Sequence, residues 1–284
     1  MKLIKPSFEI LPTTGSIFED IERASRVCYK SEENTKEGSA EKMVKFLIER
    51  GHTSMLEHGT VYLNIPPTEW KIADDYKNNK YSTVRMGERF YYTTTNYRVL
   101  IENDWLHDLQ YQCEPTEYHE KRVSVRFICD RGVSHELVRH RVFSFAQEST
   151  RYCNYSKDKF GNELTFIIPN NNPYEDDLKH EFEEDLKNGK VLQSKCRPAW
   201  AEWIKVVRYT ERCYLHFVDN GIYGISPQIA RSILPNSLKT ELIMTGFVSD
   251  WEGFFKLRDT STAHPQMQEL ACPLHKEFKK LILL

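Results

Sequence analysis

Apolar residues recur along this chain at two different periods, in no regular order, and that irregularity limits the folds open to it. Ile17, Ile21, Ala24 and Cys28 follow at helical spacing behind Ser16, which with Glu19 makes a capping box, so the pattern predicts an amphipathic helix over 16–29. A second helix is predicted at about 40–50, with Val44, Leu47 and Ile48 facing inward and Gly51 ending it. Val61, Leu63 and Ile65 instead alternate with polar residues up to Pro66-Pro67, and Val123, Val125 and Phe127 repeat that alternation, so each set predicts a strand. Residues 68–121 mix a helical patch around Trp70 to Tyr76 with the aromatic run Phe90-Tyr91-Tyr92 and receive no functional assignment. Leu178, Phe182 and Leu186 fall at four-residue steps in an acidic stretch, 176–187, which reads as a helix with a solvated face. A long helix is expected from Pro198 through Trp203, Val207 and Tyr214 to about Gly221, and Ser226-Pro227 opens a short one. Leu238 to Met244 alternate as a strand over 238–245, and Ser249 with Glu252 forms a second capping box at the head of the helix carrying Arg258. Helices and strands that mix without βαβ alternation favour an α+β fold, with a mixed or antiparallel sheet flanked by helices, over a doubly wound sheet.

The 284 residues can bury one large core or two modest ones, and the absence of repeats or Gly/Ser/Pro linkers favours a single domain over 1–284. With 39 basic and 41 acidic residues the net charge is −2, so nothing global attracts nucleic acid or a membrane, and an anion site must come from local clustering. Seven cysteines without a Cys-x-x-Cys pair argue for reduced thiols rather than a disulfide framework or a zinc site, and no metal is expected. That chemistry, with no signal-peptide run and no stretch near the ~20 apolar residues that cross a bilayer, leads to a cytoplasmic expectation.

The local cluster is Arg139-His140-Arg141, followed after seven residues by Ser149-Thr150-Arg151-Tyr152. Guanidinium forks bind phosphate bidentately while hydroxyls fill its remaining acceptors, so Ser149, Thr150 and Arg151 suit a nucleotide phosphate and sugar. If the segment is helical, Arg139 and Arg141 lie about 200° apart around the axis and can serve two ligands or two subunits. Farther on, Trp251, Phe254, Phe255 and Arg258 share one helix face, which places a cation on an apolar stripe where it needs an acceptor. A Ser149–His140 nucleophile is disfavoured for want of a third, orienting group. No Gly-x-Gly-x-x-Gly occurs to hold a dinucleotide in the Rossmann manner, and no cysteine sits in a Pro-Cys-Gln setting.

Arg-His-Arg, seven residues and then Ser, here RHRVFSFAQESTRY, resembles the signature of the flavin-dependent (ThyX-type) thymidylate synthases. The resemblance extends to His52-Thr53-Ser54-Met55-Leu56-Glu57-His58, to Ala230-Arg231 before Leu234-Pro235, and to Phe254-Phe255-Lys256-Leu257-Arg258, and so spans most of the chain. Segments at about 66–121 and 170–195 read as insertions. What the resemblance implies is a ThyX-like fold and the conversion of dUMP to dTMP, with 5,10-methylenetetrahydrofolate as one-carbon donor and NADPH-reduced FAD as hydride source. It assigns dUMP to Glu136, Arg139, Gln147, Glu148, Ser149, Thr150, Arg151, Arg231 and Arg258, with Arg231 supplied by a neighbouring subunit and Arg258 the catalytic group against the uracil. It assigns FAD to Ser54, Glu57, Arg139, His140, Arg141, Gln147 and His264, and the folate or nicotinamide side to His52 and Tyr152. It also implies a homotetramer with shared active sites. The chain departs from the family pattern at Glu136, where Gln is common, at Gly253 in place of Asn, at Phe247-Val248-Ser249 in place of Asn-x-Arg, and at Met55 in place of Pro. Two rivals stand beside this reading: a relative that modifies dUMP or dCMP differently, for instance by hydroxymethylation, and a nonenzymatic nucleotide- or RNA-binding module.

Overall fold

The computed structural model describes residues 1–157, 160–170 and 198–281, so the acidic helix expected at 176–187 and nearly all of the 170–195 segment lie outside the described residues. The centre is a four-stranded antiparallel sheet in the order β2 (Ser7–Leu11), β6 (Arg122–Asp130), β9 (Lys239–Phe247), β7 (Ser144–Gln147). β6 and β9 pair along their whole length, from Arg122 opposite Phe247 to Asp130 opposite Lys239. Side chains alternate across a strand, and here both faces are covered. On one face Val125, Phe127, Leu242 and Met244 pack with Trp251, Phe254 and Phe255 of α8 (Val248–Arg258) and with Met267, Leu270, Leu274 and Phe278 of α9 (Pro265–Lys280). On the other, Ile243 and Ala146 meet Ala24 and Val27 of α1 (Ile17–Tyr29).

The α+β expectation stands, but the described residues form three sheets rather than one. β3 (Thr60–Ile65) pairs with β5 (Tyr91–Asn96), which also pairs with β4 (Thr83–Met86); α2 (Ser39–Glu49), α3 (Trp70–Lys77) and α4 (Tyr97–Glu102) pack around them. The middle strand, β5, escapes a hydrophobicity reading because four of its five buried residues, Thr93, Thr94, Thr95 and Asn96, are polar, Tyr92 being the exception. A parallel pair, β1 (Lys2–Ile4) with β8 (Thr165–Ile167), packs with the long helix α6 (Pro198–Val218) in a separate apolar cluster. Pro227 then starts the short helix α7 (Pro227–Ala230).

Helix ends follow local chemistry, with one correction. Ser16 Oγ accepts from the Glu19 N–H at 3.4 Å, while the reciprocal arm comes from Thr14, whose Oγ1 accepts from the Ser16 N–H at 3.1 Å. Gly51, at φ +68°, takes the left-handed conformation after α2. The predicted box at Ser249 is displaced: β9 runs directly into α8, Asp250 Oδ2 accepts from the Phe247 N–H at 3.2 Å, and Ser249 lies inside the first turn, bonded to Glu120. A strand leading straight into a helix leaves no extended residue at Ser249 to act as a cap.

Candidate active site

The Arg139–Arg141 segment is not helical. Asp130 Oδ1 accepts from the Val133 N–H at 2.6 Å and caps α5 (Arg131–Leu137), which stops two residues before Arg139, and the chain then turns through 138–143. The turn is anchored by Phe143, whose ring lies 4.8 Å from that of Trp251 and directly over Gly246 of β9, where a Cβ would collide with it. Burying Phe143 there lets β7 begin at once and pair with β9, which ends the helix early. Arg139 and Arg141 are exposed and carry no ion pair among the described residues; the helical divergence expected of them is replaced by a turn.

The same turn delivers His140 to Arg258. Arg258 Nε donates to His140 Nε2 at 2.9 Å, Nη1 donates to Glu136 Oε2 at 2.7 Å, and Nη2 donates to the Glu136 carbonyl at 3.4 Å. The guanidinium predicted to need an acceptor on the α8 stripe has thus found one from α5 and one from the turn. His140 sits against the Phe254 ring at 5.0 Å. Burial first, and the charge of Arg258 second, hold its imidazole down at about 4, with Glu136 opposing. The neutral ring accepts at Nε2, so the bond network assigns its proton to Nδ1.

Beyond β7 the chain carries the second half of the cluster. Gln147 Nε2 donates to Ser134 Oγ of α5 at 2.9 Å and to Thr240 Oγ1 at 3.2 Å, which ties this residue to the helix bearing Glu136. Glu148 turns inward, 2 % exposed, and accepts from Tyr155 Oη at 2.9 Å and Lys239 Nζ at 2.7 Å. Lys239, Lys30 and Arg126 also surround the buried Glu241. Burial alone would raise that carboxyl, but Lys239 and Lys30, then Arg126, hold it down at about 2. Ser149 is pinned by its N–H to the Cys28 carbonyl at the end of α1, 3.0 Å away, and Thr150 is buried. Arg151 is exposed, its guanidinium 5.3 Å from the Tyr152 ring, and its Nε donates to Gln228 Oε1 at 3.4 Å. Tyr152 in turn lies 5.3 Å from the ring of Tyr29.

His52, Ser54 and Glu57 lie on or beside the 3-10 turn Thr53–His58, which packs against β7. His52 and Ser54 are exposed, and Glu57 accepts from Arg98 Nη1 at 2.5 Å. The turn is tied to the central sheet by the buried His58, whose Nδ1 is 2.8 Å from Thr245 Oγ1. Burial, and then Arg122, push His58 down to about 3. His264 is exposed at the start of α9, on the side of Asp130 and therefore toward the opposite end of α5 from Arg258. Arg231 is exposed just after α7 and carries no ion pair among the described residues. Within one chain, then, Glu136, His140 and Arg258 are in contact, Gln147 is joined to α5, and Ser149, Arg151 and Tyr152 gather at the end of α1. His52, Ser54, Arg139, Arg141, Arg231 and His264 instead present themselves to solvent. Sequence reasoning missed Tyr29, Arg98, Gln228 and Lys239, whose partners are distant in sequence and leave no local signal.

The family model described as thymidylate synthase complementing protein (Thy1) matches residues 9–74 and 113–282. The chain belongs to the Thy1 family. The match embraces the 3-10 turn, the Arg139–Tyr152 segment, Arg231 and Arg258, and leaves out 75–112, where β4, β5 and α4 lie. A flavin-dependent thymidylate synthase of Pyrococcus furiosus is 30% identical over 152 residues, 54% of this chain and 52% of the relative. The enzyme of that name from Pyrococcus abyssi is 29% identical over the same length, and that from Mycobacterium bovis 28% identical over 145 residues, half of each chain. The chain spans about half the length of the curated relatives it matches. Among the described residues no helix is long and apolar enough to cross a membrane, and no group of three or more His, Cys, Asp or Glu could hold a metal ion.

Proposed function

We propose that the chain is a flavin-dependent thymidylate synthase that converts dUMP to dTMP, with 5,10-methylenetetrahydrofolate as one-carbon donor, NADPH as reductant and a homotetramer as the working assembly. The observation that carries this reading is Arg258, held at the end of an apolar helix face by the neutral His140 of the Arg-His-Arg segment and the Glu136 carboxylate of α5, in a chain of the Thy1 family. The donor set suits a flavin dinucleotide, because Arg139 and Arg141 keep exposed guanidinium groups without ion pairs among the described residues, and a pyrophosphate requires such unspent charge. Ser54, Glu57, His140, Gln147 and His264 complete the proposed FAD set; the bound flavin supplies the hydride that completes the methyl group.

The remaining work belongs to the chain. Ser149, Thr150 and Arg151, with Arg139 and a neighbouring subunit's copy of Arg231, anchor the nucleotide phosphate and sugar, and Glu136 and Gln147 border the base. Glu148 acts through Lys239 and Tyr155, fixing the backbone that bears Ser149. Arg258 stabilises negative charge developing on the uracil; the neutral His140 takes no proton and orients the guanidinium. His52 and Tyr152 offer the folate or nicotinamide an imidazole and an aromatic face. The test is direct: the freshly purified protein should be yellow, bleach with NADPH, and form dTMP from dUMP and methylenetetrahydrofolate. A colourless protein that FAD does not reconstitute refutes the proposal.

A further inference from the structure

We infer that the cleft between α1 and α2 receives the aryl-glutamate tail of the folate, an inference that rests on the function just proposed and deepens it. The cleft measures about 700 Å³ and lies beside the candidate site, because Tyr29, one of its lining residues, stands ring to ring with Tyr152 at 5.3 Å. Its lining is amphipathic in the manner of that tail. Tyr29, Met43 and Phe46 offer apolar and aromatic surface to a benzoyl ring, and Lys36 and Lys42 stand on the rim. Among the described residues neither lysine carries an ion pair, and Glu33 is the one carboxylate that lines the cleft.

Part of this arrangement is prebuilt. The Lys36 N–H donates to Ser39 Oγ at 3.0 Å, and that hydroxyl donates back to the Lys36 carbonyl at 2.6 Å, which fixes the backbone at Lys36. Arg26 is spent on Glu22 and on the Ser31 carbonyl, so it holds the loop that walls the cleft and leaves the rim lysines to a ligand. Arg50, its guanidinium 5.5 Å from the centroid of the Phe46 ring, adds a third cation nearby. A ring followed by carboxylates matches an apolar floor followed by ammonium groups; an uncharged ligand would leave those ammonium groups unused.

The experiment compares Michaelis constants for methylenetetrahydrofolate bearing one or three glutamates, in the unaltered protein, in Lys36→Glu/Lys42→Glu, and in Lys45→Glu. Lys45 lies on α2 with Lys42, is exposed, and lies outside the cleft lining. The expected result is a lower KM for the triglutamate in the unaltered protein and a rise in folate KM on the order of tenfold in the double variant. That rise should be larger for the triglutamate and shrink with added salt, with the KM for dUMP unchanged and Lys45→Glu indistinguishable from the unaltered protein. An active double variant with an unchanged folate KM overturns the tail site alone. Absence of dTMP formation by the unaltered, FAD-loaded protein overturns the functional reading and the tail site with it.

Discussion

Replacing Arg258 by Met removes the guanidinium and keeps most of its aliphatic stem on the α8 face, so the variant separates structural from catalytic roles. The side chain makes two good bonds, 2.7 Å to Glu136 and 2.9 Å to His140, and a longer one to the Glu136 carbonyl. Because Arg258 and Glu136 side chains are 20% and 31% exposed, water screens the pair, and the stranded Glu136 can turn to solvent. The net loss is then about 1–2 kcal/mol, a melting point lower by about 2–6 °C. Removing a donor aimed at developing negative charge costs far more in rate, about 10²–10³-fold. The assay is tritium release from [5-³H]dUMP in the presence of FAD, NADPH and methylenetetrahydrofolate, alongside thermal unfolding. NMR titration supplies a third readout: with the Arg258 charge gone and Glu136 retained, His140 should titrate above its present value of about 4. Turnover within tenfold of the unaltered protein refutes the catalytic role, and an unmoved His140 refutes the electrostatic account of the network.

Two further substitutions test the scaffold. Glu241→Gln leaves Lys30, Lys239 and Arg126 around a neutral group and should cost about 3–5 kcal/mol in urea unfolding at pH 7. Its carboxyl lies at about 2 against an ordinary 4.5, so its stabilisation is present above pH 4.5 and fades as pH falls toward 2; a penalty below 1 kcal/mol, or one that grows in acid, contradicts the charge network. His58 is held neutral, at about 3 against an ordinary 6.5, so stability should decline as pH drops below 6.5, by about 2 kcal/mol between pH 7 and pH 5. His58→Gln should flatten that limb of the urea-unfolding profile, and an equal slope in the two proteins would assign the acid sensitivity elsewhere.

Local signals were legible where the chain's own neighbours satisfy them. Ser16 caps α1, Gly51 follows α2, and the alternation at Val123–Phe127 and Leu238–Met244 marks β6 and β9, because capping bonds and side-chain periods act within a few residues. The apolar stripe ending at Arg258 was visible for the same reason. β5 was hidden by threonines, and the turn at Arg139–Arg141 was hidden because the burial of Phe143 over Gly246, more than a hundred residues later, decides it.

By itself, then, the sequence determined the α+β character, the two long strands of the central sheet, and a cluster of residue types that would suit an anionic, planar ligand. Only the tertiary structure decided that Arg258 meets Glu136 and His140, that Glu148 turns inward to Lys239, and that Tyr29 stands beside Tyr152. The physical reason is register. Pairing Arg126 with Ile243 and Asp130 with Lys239 carries distant charges to one end of a shared sheet, and no periodicity within either strand encodes which strand it will lie beside.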